Sequence, residues 1–260
     1  MRPVLIQFDG IALPSYGLML VISFLFALWF ARRYAKKFNI SSIIIENVAF
    51  YLMIGVLLGG RLLYIIFHWS QYENDLLSIF RIWEGGMMFF GGFIGGFLAV
   101  VFYLRKEKIE ILPIGDLVAP AIALGQFFTR IGCFLNGCCF GTPSTLPWAI
   151  EFPDHCVAGA SPVGDQPLHP TQLYSSFFGL VLFFFLKNIL FRQHRRGEVF
   201  ALYLIFSGGF RFGIDFIRYY EDSANFWINQ IVAIGLVIIG FVILRKAYSK
   251  RVATNIPSSP

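Results

Sequence analysis

The sequence predicts an all-α integral membrane protein, and three observations carry that prediction. Of 260 residues, 57% are hydrophobic and only 14% charged, with a mean hydropathy of +0.68, whereas soluble domains carry about 25% charged residues. The apolar residues fall in long runs, not in the short alternating segments of a membrane barrel. The basic residues give a formal charge of +6 and gather in short clusters beside those runs, the pattern of topology determinants facing anionic lipid heads. That distribution argues against a nucleic-acid partner. Thirty-one phenylalanines and 25 glycines suit helices that meet lipid on one face and pack closely on another. The expectation is one polytopic domain over residues 1–260 with about seven transmembrane helices.

Residues 1–13 carry Arg2 but too short an apolar core for a cleavable signal, so residues 15–31 read as a retained first span. The basic run RRYAKK (32–37) follows and is cytoplasmic by the positive-inside rule, which sets the N-terminus outside. Residues 46–69 form a second span, interrupted by Gly59, Gly60 and Arg61 and ending in the interfacial aromatics His68, Trp69 and Tyr72; residues 70–84 are an external loop. The third span, 85–104, carries GGMMFFGGFIGG and stops at Arg105, Lys106 and Lys108. The fourth, 112–140, contains Pro120, Arg130 and Asn136. Prolines 143, 147, 153, 162 and 167 make the external insertion, about 141–168, loop or short strands. Residues 170–190 are the fifth span, closed by FRQHRR (191–196). The sixth, 198–217, holds Arg211 and Asp215 and leads to an acidic external loop at Glu221 and Asp222. The seventh, 226–244, ends in Arg245, Lys246, Lys250 and Arg251, so the C-terminus is cytoplasmic; residues 252–260 are a polar tail expected to be disordered.

Charges in hydrocarbon require a reason. An arginine at the centre of a span costs roughly 2.5–3.5 kcal/mol on insertion scales, yet Arg61, Arg130 and Arg211 all lie within or near the outer ends of even-numbered spans. A planar guanidinium suits bidentate phosphate binding, and the anionic group at that depth is a phospholipid head. Arg130 and Arg211 are the candidate catalytic residues, able to grip a phosphodiester and to stabilise a departing phosphate. Two structural readings stay open: Arg61 as a snorkelling or structurally paired side chain, and Arg211 as half of a local ion pair with Asp215, four residues on. Tyr16, at the outer start of the first span, and His169, where the insertion re-enters the membrane, join the same layer; an aromatic belt and a helix cap are their structural alternatives.

Cys133, Cys138, Cys139 and Cys156 read as small packing residues. The first three lack the paired spacing of a structural zinc site and no histidine lies near them in sequence, so no metal is expected. Arg130 could lower the pKa of Cys133, but packing is the favoured reading.

Six segments occur in an order that resembles the prolipoprotein diacylglyceryl transferase family of bacterial inner membranes: LPSYGLML (13–20), GGRLLY (59–64), WEGGMMFFGGFIGG (83–96), RIGCFLNGCCFG (130–141), HPTQLY (169–174) and FRFGIDFIR (210–218). The resemblance implies a multi-pass enzyme of the bacterial cytoplasmic membrane that needs no cofactor. Its implied substrates are phosphatidylglycerol and prolipoprotein signal peptides bearing a lipobox cysteine, with surrounding membrane lipids as solvent. Diacylglyceryl would pass to the cysteine thiol, leaving glycerol phosphate. The family's two phosphate-handling arginines match Arg130 and Arg211, and the expected substrate-binding set is Tyr16, Arg61, Asn136, Gly141, His169 and Asp215.

The departures from the family pattern define a cysteine-rich subgroup. Cys133 stands where the family has Asn, Cys138 where it has Glu, and Thr129 where it has glycine. Phe90 replaces a histidine proposed in better-known members as the thiol's base, and phenylalanine accepts no proton; the arginine field, His169 or Asp215 remain for that role. Two other functions fit the residues: a related membrane transferase with another thiol or small acceptor, and a lipid-headgroup binding or transport protein.

Overall fold

The computed structural model describes residues 1–8, 11–73, 75–81 and 85–249, and the side chains of these except 6–12 and 89. The expected polar tail at 252–260 lies outside the described residues. The elements run β1 (Val4–Phe8), β2 (Ile11–Pro14), α1 (Ser15–Ala35), α2 (Ser42–Phe67), α3 (Phe89–Lys106), α4 (Ile111–Asn136), α5 (Thr171–Leu190), α6 (Glu198–Ile214) and α7 (Ser223–Ser249). The chain is an all-α, multi-pass integral membrane protein in architecture. Six helical segments, all but α3, are long and apolar enough to cross a bilayer. The expected count of seven spans is not confirmed by these six among the described residues. α3 has 18 residues and closes on Arg105 and Lys106, near the short end of the range that spans a bilayer.

The N-terminal residues, to which the sequence reading assigned no element, form an antiparallel hairpin in which β1 pairs with β2 in the register Ile6↔Leu13, Gln7↔Ala12, Phe8↔Ile11. Its end is tied to the start of α1 by the Ser15 N–H, which donates to the Pro3 carbonyl at 2.8 Å.

The chain divides into two compact units. One comprises Arg32–Ile114 and the other Met1–Ala31 with Gly115–Pro260. In the first, α2 and α3 pack antiparallel through glycine. A Cβ on Gly59 would stand 2.8 Å from the Gly95 Cα, and one on Gly55 2.7 Å from the Ala99 Cβ, so side chains are absent where the backbones meet. Tyr51 stacks on Tyr103 at 4.8 Å, whose hydroxyl accepts from the Asn47 amide at 2.9 Å.

In the second unit α4 is the central element. Ser23 of α1 donates to the Gly125 carbonyl at 2.9 Å, and Thr129, where the resemblance expects glycine, reaches the Ser23 hydroxyl at 3.3 Å. Ser176 of α5 donates to the Phe127 carbonyl at 3.0 Å, and Phe178 stacks on Phe210 of α6 at 4.0 Å. α7 lies against α6 where Gly208 faces the Ala233 carbonyl and Gly240 the Ala201 carbonyl. The insertion, expected as loop or short strands, has only the isolated bridges Gly141↔Arg218, Pro143↔Leu168 and Ile150↔Leu168. It encloses a small apolar core of Phe140, Phe152, Cys156, Ala158 and Leu168.

Asp116, buried near the start of α4, caps α6 from outside that helix. It accepts the N–H of Gly197, the N-cap, at 2.6 Å and that of Phe200 at 2.9 Å. Gly197 is left-handed, with φ of 85°. A carboxylate at this position satisfies orphan donors and complements the helix dipole. Asp116→Ala should lower the stability of the purified protein by about 2 kcal/mol, read as a drop in thermal midpoint in detergent; an unchanged midpoint contradicts the cap.

Candidate functional site

The site grows from the way α4 ends. Gly137 adopts φ of 73°; its N–H donates to the Phe134 carbonyl at 3.1 Å, and the Cys138 N–H reaches back to the Cys133 carbonyl at 3.0 Å. This is a Schellman C-cap, which brings the side chains at its first and last positions together. Here those positions are Cys133 and Cys138. Cys139 follows with φ of 62°, a left-handed conformation costly for a residue with a Cβ, and it folds back on the other two. The three sulfurs all lie within 4.8 Å of one another. Gly137 has no room for a side chain, since a Cβ would stand 2.6 Å from the Cys156 sulfur.

Distant segments hold this turn in place. Gln172 donates to the Cys138 carbonyl at 2.9 Å and Thr171 to the Cys139 carbonyl at 2.7 Å. The Gly141 N–H donates to the His169 carbonyl at 2.9 Å, the Thr142 N–H to the Ile217 carbonyl at 2.9 Å, and the Tyr219 N–H to the Phe140 carbonyl at 3.1 Å. The motifs at 130–141, 169–174 and 210–218 thus share one hydrogen-bonded turn. A Cβ on Gly132 would stand 2.8 Å from the Met19 Cβ, so α1 approaches α4 closely there and Tyr16 faces the cluster, within electrostatic reach of its thiols and of Arg130.

The Asp116 cap ties α4 to the start of α6, and Arg130 and Arg211 lie at equal sequence separations from it. Arg130 stands fourteen residues beyond Asp116, and Arg211 fourteen beyond Gly197. Each arginine therefore lies ~21 Å along its helix from the cap, and beyond them the two segments meet at the Phe140–Tyr219 bond. Arg211 pairs with buried Asp215 through Nε at 3.1 Å and donates from Nη2 to the Tyr220 hydroxyl at 3.0 Å. Tyr220 in turn donates to Asp215 at 2.8 Å and accepts from Asn229 at 3.4 Å. Burial pushes the Tyr220 phenol up to about 12, with the Asp215 bond acting in the same direction against Arg218 and Arg211, so it stays protonated. Arg130 has no hydrogen bond or ion pair with any described residue. Arg218 stacks 5.3 Å from the Tyr220 ring centre, and its buried Nε lacks a hydrogen-bond partner. Both Arg130 and Arg218 act electrostatically on Arg211. Bonds from Cys133 and Cys138, then the charges of Arg218 and Arg130, lower the Cys139 thiol pKa against the effect of burial.

The chain that folds this convergence of segments has relatives. A family model described as prolipoprotein diacylglyceryl transferase matches residues 3–245. A protein of Methylococcus capsulatus named phosphatidylglycerol–prolipoprotein diacylglyceryl transferase is 37% identical over 263 positions, covering 96% of this chain and 97% of that protein. Proteins of the same name from Pseudoalteromonas translucida and Photobacterium profundum are each 36% identical. They cover 95% and 97% of this chain, and 93% and 95% of their own lengths, respectively. The chain belongs to the prolipoprotein diacylglyceryl transferase family.

Within this member of the family, the expected site residues fall into two groups. Tyr16, Arg130, Asn136, Gly141, His169, Arg211 and Asp215 all belong to the unit built on α4. Asn136 ends α4, its side chain interacting with the Cys138 thiol. Gly141 is held where a Cβ would stand 2.5 Å from the His169 Cβ. The His169 ring lies 3.4 Å from the Tyr174 hydroxyl, which also accepts from Trp148 at 2.7 Å. Sequence reasoning did not single out Arg218 or Tyr220, although Arg218 closes the FRFGIDFIR motif.

Arg61 belongs to the other unit, where all five of its donors go to backbone carbonyls. Nε donates to Ile79 at 2.9 Å, Nη1 to Gly85 at 2.6 Å and Gly86 at 3.2 Å, and Nη2 to Ser78 at 2.8 Å and Arg81 at 3.4 Å. It organises the loop after α2, the structural pairing that the sequence left open. Arg61→Ala should strip several carbonyls of charged donors, lower stability by at least about 2 kcal/mol and speed proteolysis between α2 and α3. Wild-type cleavage rates contradict this role.

Proposed function

We propose that this chain transfers the diacylglyceryl group of phosphatidylglycerol to the lipobox cysteine of prolipoprotein signal peptides, the first step of lipoprotein maturation in the bacterial cytoplasmic membrane. The observation that carries this reading is an Arg130 without a hydrogen bond or ion pair among the described residues, as far along α4 from the buried Asp116 cap as Arg211 is along α6. Two guanidiniums at one depth suit the phosphodiester of a lipid whose chains lie between helices. The basic clusters after the odd-numbered hydrophobic segments of the sequence set this level in the outer half of the bilayer, where a secreted precursor presents its thiol.

In the reaction the acceptor sulfur attacks the glyceryl carbon that bears the phosphate. A C–S bond forms, the C–O bond breaks, and its electron pair leaves with glycerol phosphate. Arg130 and Arg211 stabilise the charge that grows on the departing oxygens, and Arg218 adds a third positive group. Asp215 and Tyr220 hold Arg211 in one orientation while leaving Nη1 for the ligand. The names of the relatives support phosphatidylglycerol and a prolipoprotein as substrates.

Purified protein should form a thioether on a lipobox peptide from phosphatidylglycerol. Arg130→Ala and Arg211→Ala should each lower the rate by about 10²–10³-fold, and Arg130→Lys should restore only part, since an ammonium lacks the fork. A product formed on another thiol but not on the lipobox peptide would point to a transferase with a different acceptor. Near-wild-type rates in both alanine variants would remove the arginines from catalysis.

A further inference from the structure

The three thiols at the end of α4 have no task in the reaction as derived above. They nevertheless sit beside its arginines, in the most tightly held turn of the site. Cys133, Cys138 and Cys139 come from three different backbone environments: a helical turn, the last position of a Schellman cap, and a left-handed residue. Clamps from Thr171 and Gln172 fix the carbonyls of the last two. Their sulfurs lie within 4.8 Å of one another. Tetrahedral zinc with Zn–S bonds of ~2.3 Å needs sulfurs ~3.8 Å apart, so small side-chain rotations close the set.

We propose that Cys133, Cys138 and Cys139 bind one thiophilic divalent cation of the zinc class, whose fourth position takes the acceptor thiol of the transfer reaction. The role of that fourth position rests on the transferase reading; the metal site does not. Three ligands without a fourth His, Cys, Asp or Glu among the described residues is the arrangement of a catalytic zinc, since structural sites fill all four positions. Cys138 and Cys139 are partly exposed, which leaves that position open to a ligand. A divalent ion with three thiolates carries a charge of about −1, and a bound acceptor thiolate makes it −2. Arg130 and Arg218, which act on Cys139, offset that charge.

The chemistry gives the cation a role. A free cysteine has a pKa of about 8.5 and is only about 3% ionised at pH 7, whereas a thiol bound to the metal is deprotonated outright. The acceptor S–H gives its proton to solvent on binding. The sulfur then attacks the glyceryl carbon, the C–S bond forms as the C–O bond to phosphate breaks, and the electron pair leaves with glycerol phosphate. The cation keeps its oxidation state throughout.

The test uses the full-length chain in detergent, purified reduced and loaded with Co²⁺ as the probe. The expected result is one equivalent bound, with sulfur-to-cobalt charge-transfer and tetrahedral d–d absorption, both removed by Zn²⁺. Cys133→Ser and Cys138→Ser should abolish that spectrum, while Cys156→Ser should retain it, compared on fractions that elute as folded protein. A lipobox peptide should strengthen the charge-transfer band and its serine analogue should not. Zinc removal should slow transfer by about 30-fold, the gain from full ionisation at pH 7, with recovery on adding zinc back. Absence of stoichiometric cobalt binding by the reduced protein overturns the proposal, as does a spectrum indifferent to the serine substitutions. Wild-type transfer by a metal-free Cys133→Ser/Cys138→Ser variant overturns the thiol-activating role and leaves the transferase reading intact. Cobalt binding without any transfer by zinc-loaded wild type overturns the transferase reading, and the activating role with it, while the metal site stands.

Discussion

A buried carboxylate sets the geometry on which the site depends. Asp116 accepts two N–H groups from the start of α6, and in this buried setting those donors would otherwise go unsatisfied. The cap removes that cost and fixes the register of α4 against α6. Because helices rise by a fixed ~1.5 Å per residue, matching at one end matches everything further along. The separations from the cap to Arg130 and to Arg211 are thus equal along the two helices. Sliding α6 by one turn would move Arg211 ~5.4 Å along its axis, more than the width of a phosphate group.

At the far end the constraint is made of backbone. The Schellman turn after Asn136 ends α4, and the carbonyls that follow it are taken by Thr171, Gln172 and the Tyr219 N–H. The same residues that satisfy the peptide groups of the turn thereby bring three motifs together. Arg211 is oriented in a different way, by a buried acid and a tyrosine that stays protonated. Arg61 shows the contrast: with five donors on five carbonyls, it stabilises a loop. Two arginines in similar apolar sequence thus do different work, and the number of donors left over separates them.

Much of this was legible in the sequence because hydrocarbon permits few solutions. Long apolar runs had to be helices, and the basic clusters and charged interruptions marked both their ends and their polar points. The N-terminal hairpin was passed over because its strands are short, although the Asp-Gly dipeptide at 9–10 is a hairpin signal in its own right. The cysteine cluster was missed for a clearer reason. Linear spacing was compared with paired zinc motifs, whereas Gly137 turns Cys-x4-Cys-Cys into a convergent set through a helix cap. A glycine one residue before the second cysteine, at the end of a helix, was the available sign. The structural pairing of Arg61 was left open by the sequence and could not be decided there, since it depends on carbonyls supplied by residues up to 25 positions away.

The central claim is that Arg130 and Arg211 share one phosphate. The measurement that addresses it most directly is an experimental structure of the protein with phosphatidylglycerol bound. The account predicts the headgroup phosphate between the two guanidiniums, within hydrogen-bond distance of both and with the glyceryl carbon facing the Cys133–Cys139 turn. A phosphate bound elsewhere, with Arg130 paired to a protein carboxylate, would contradict it.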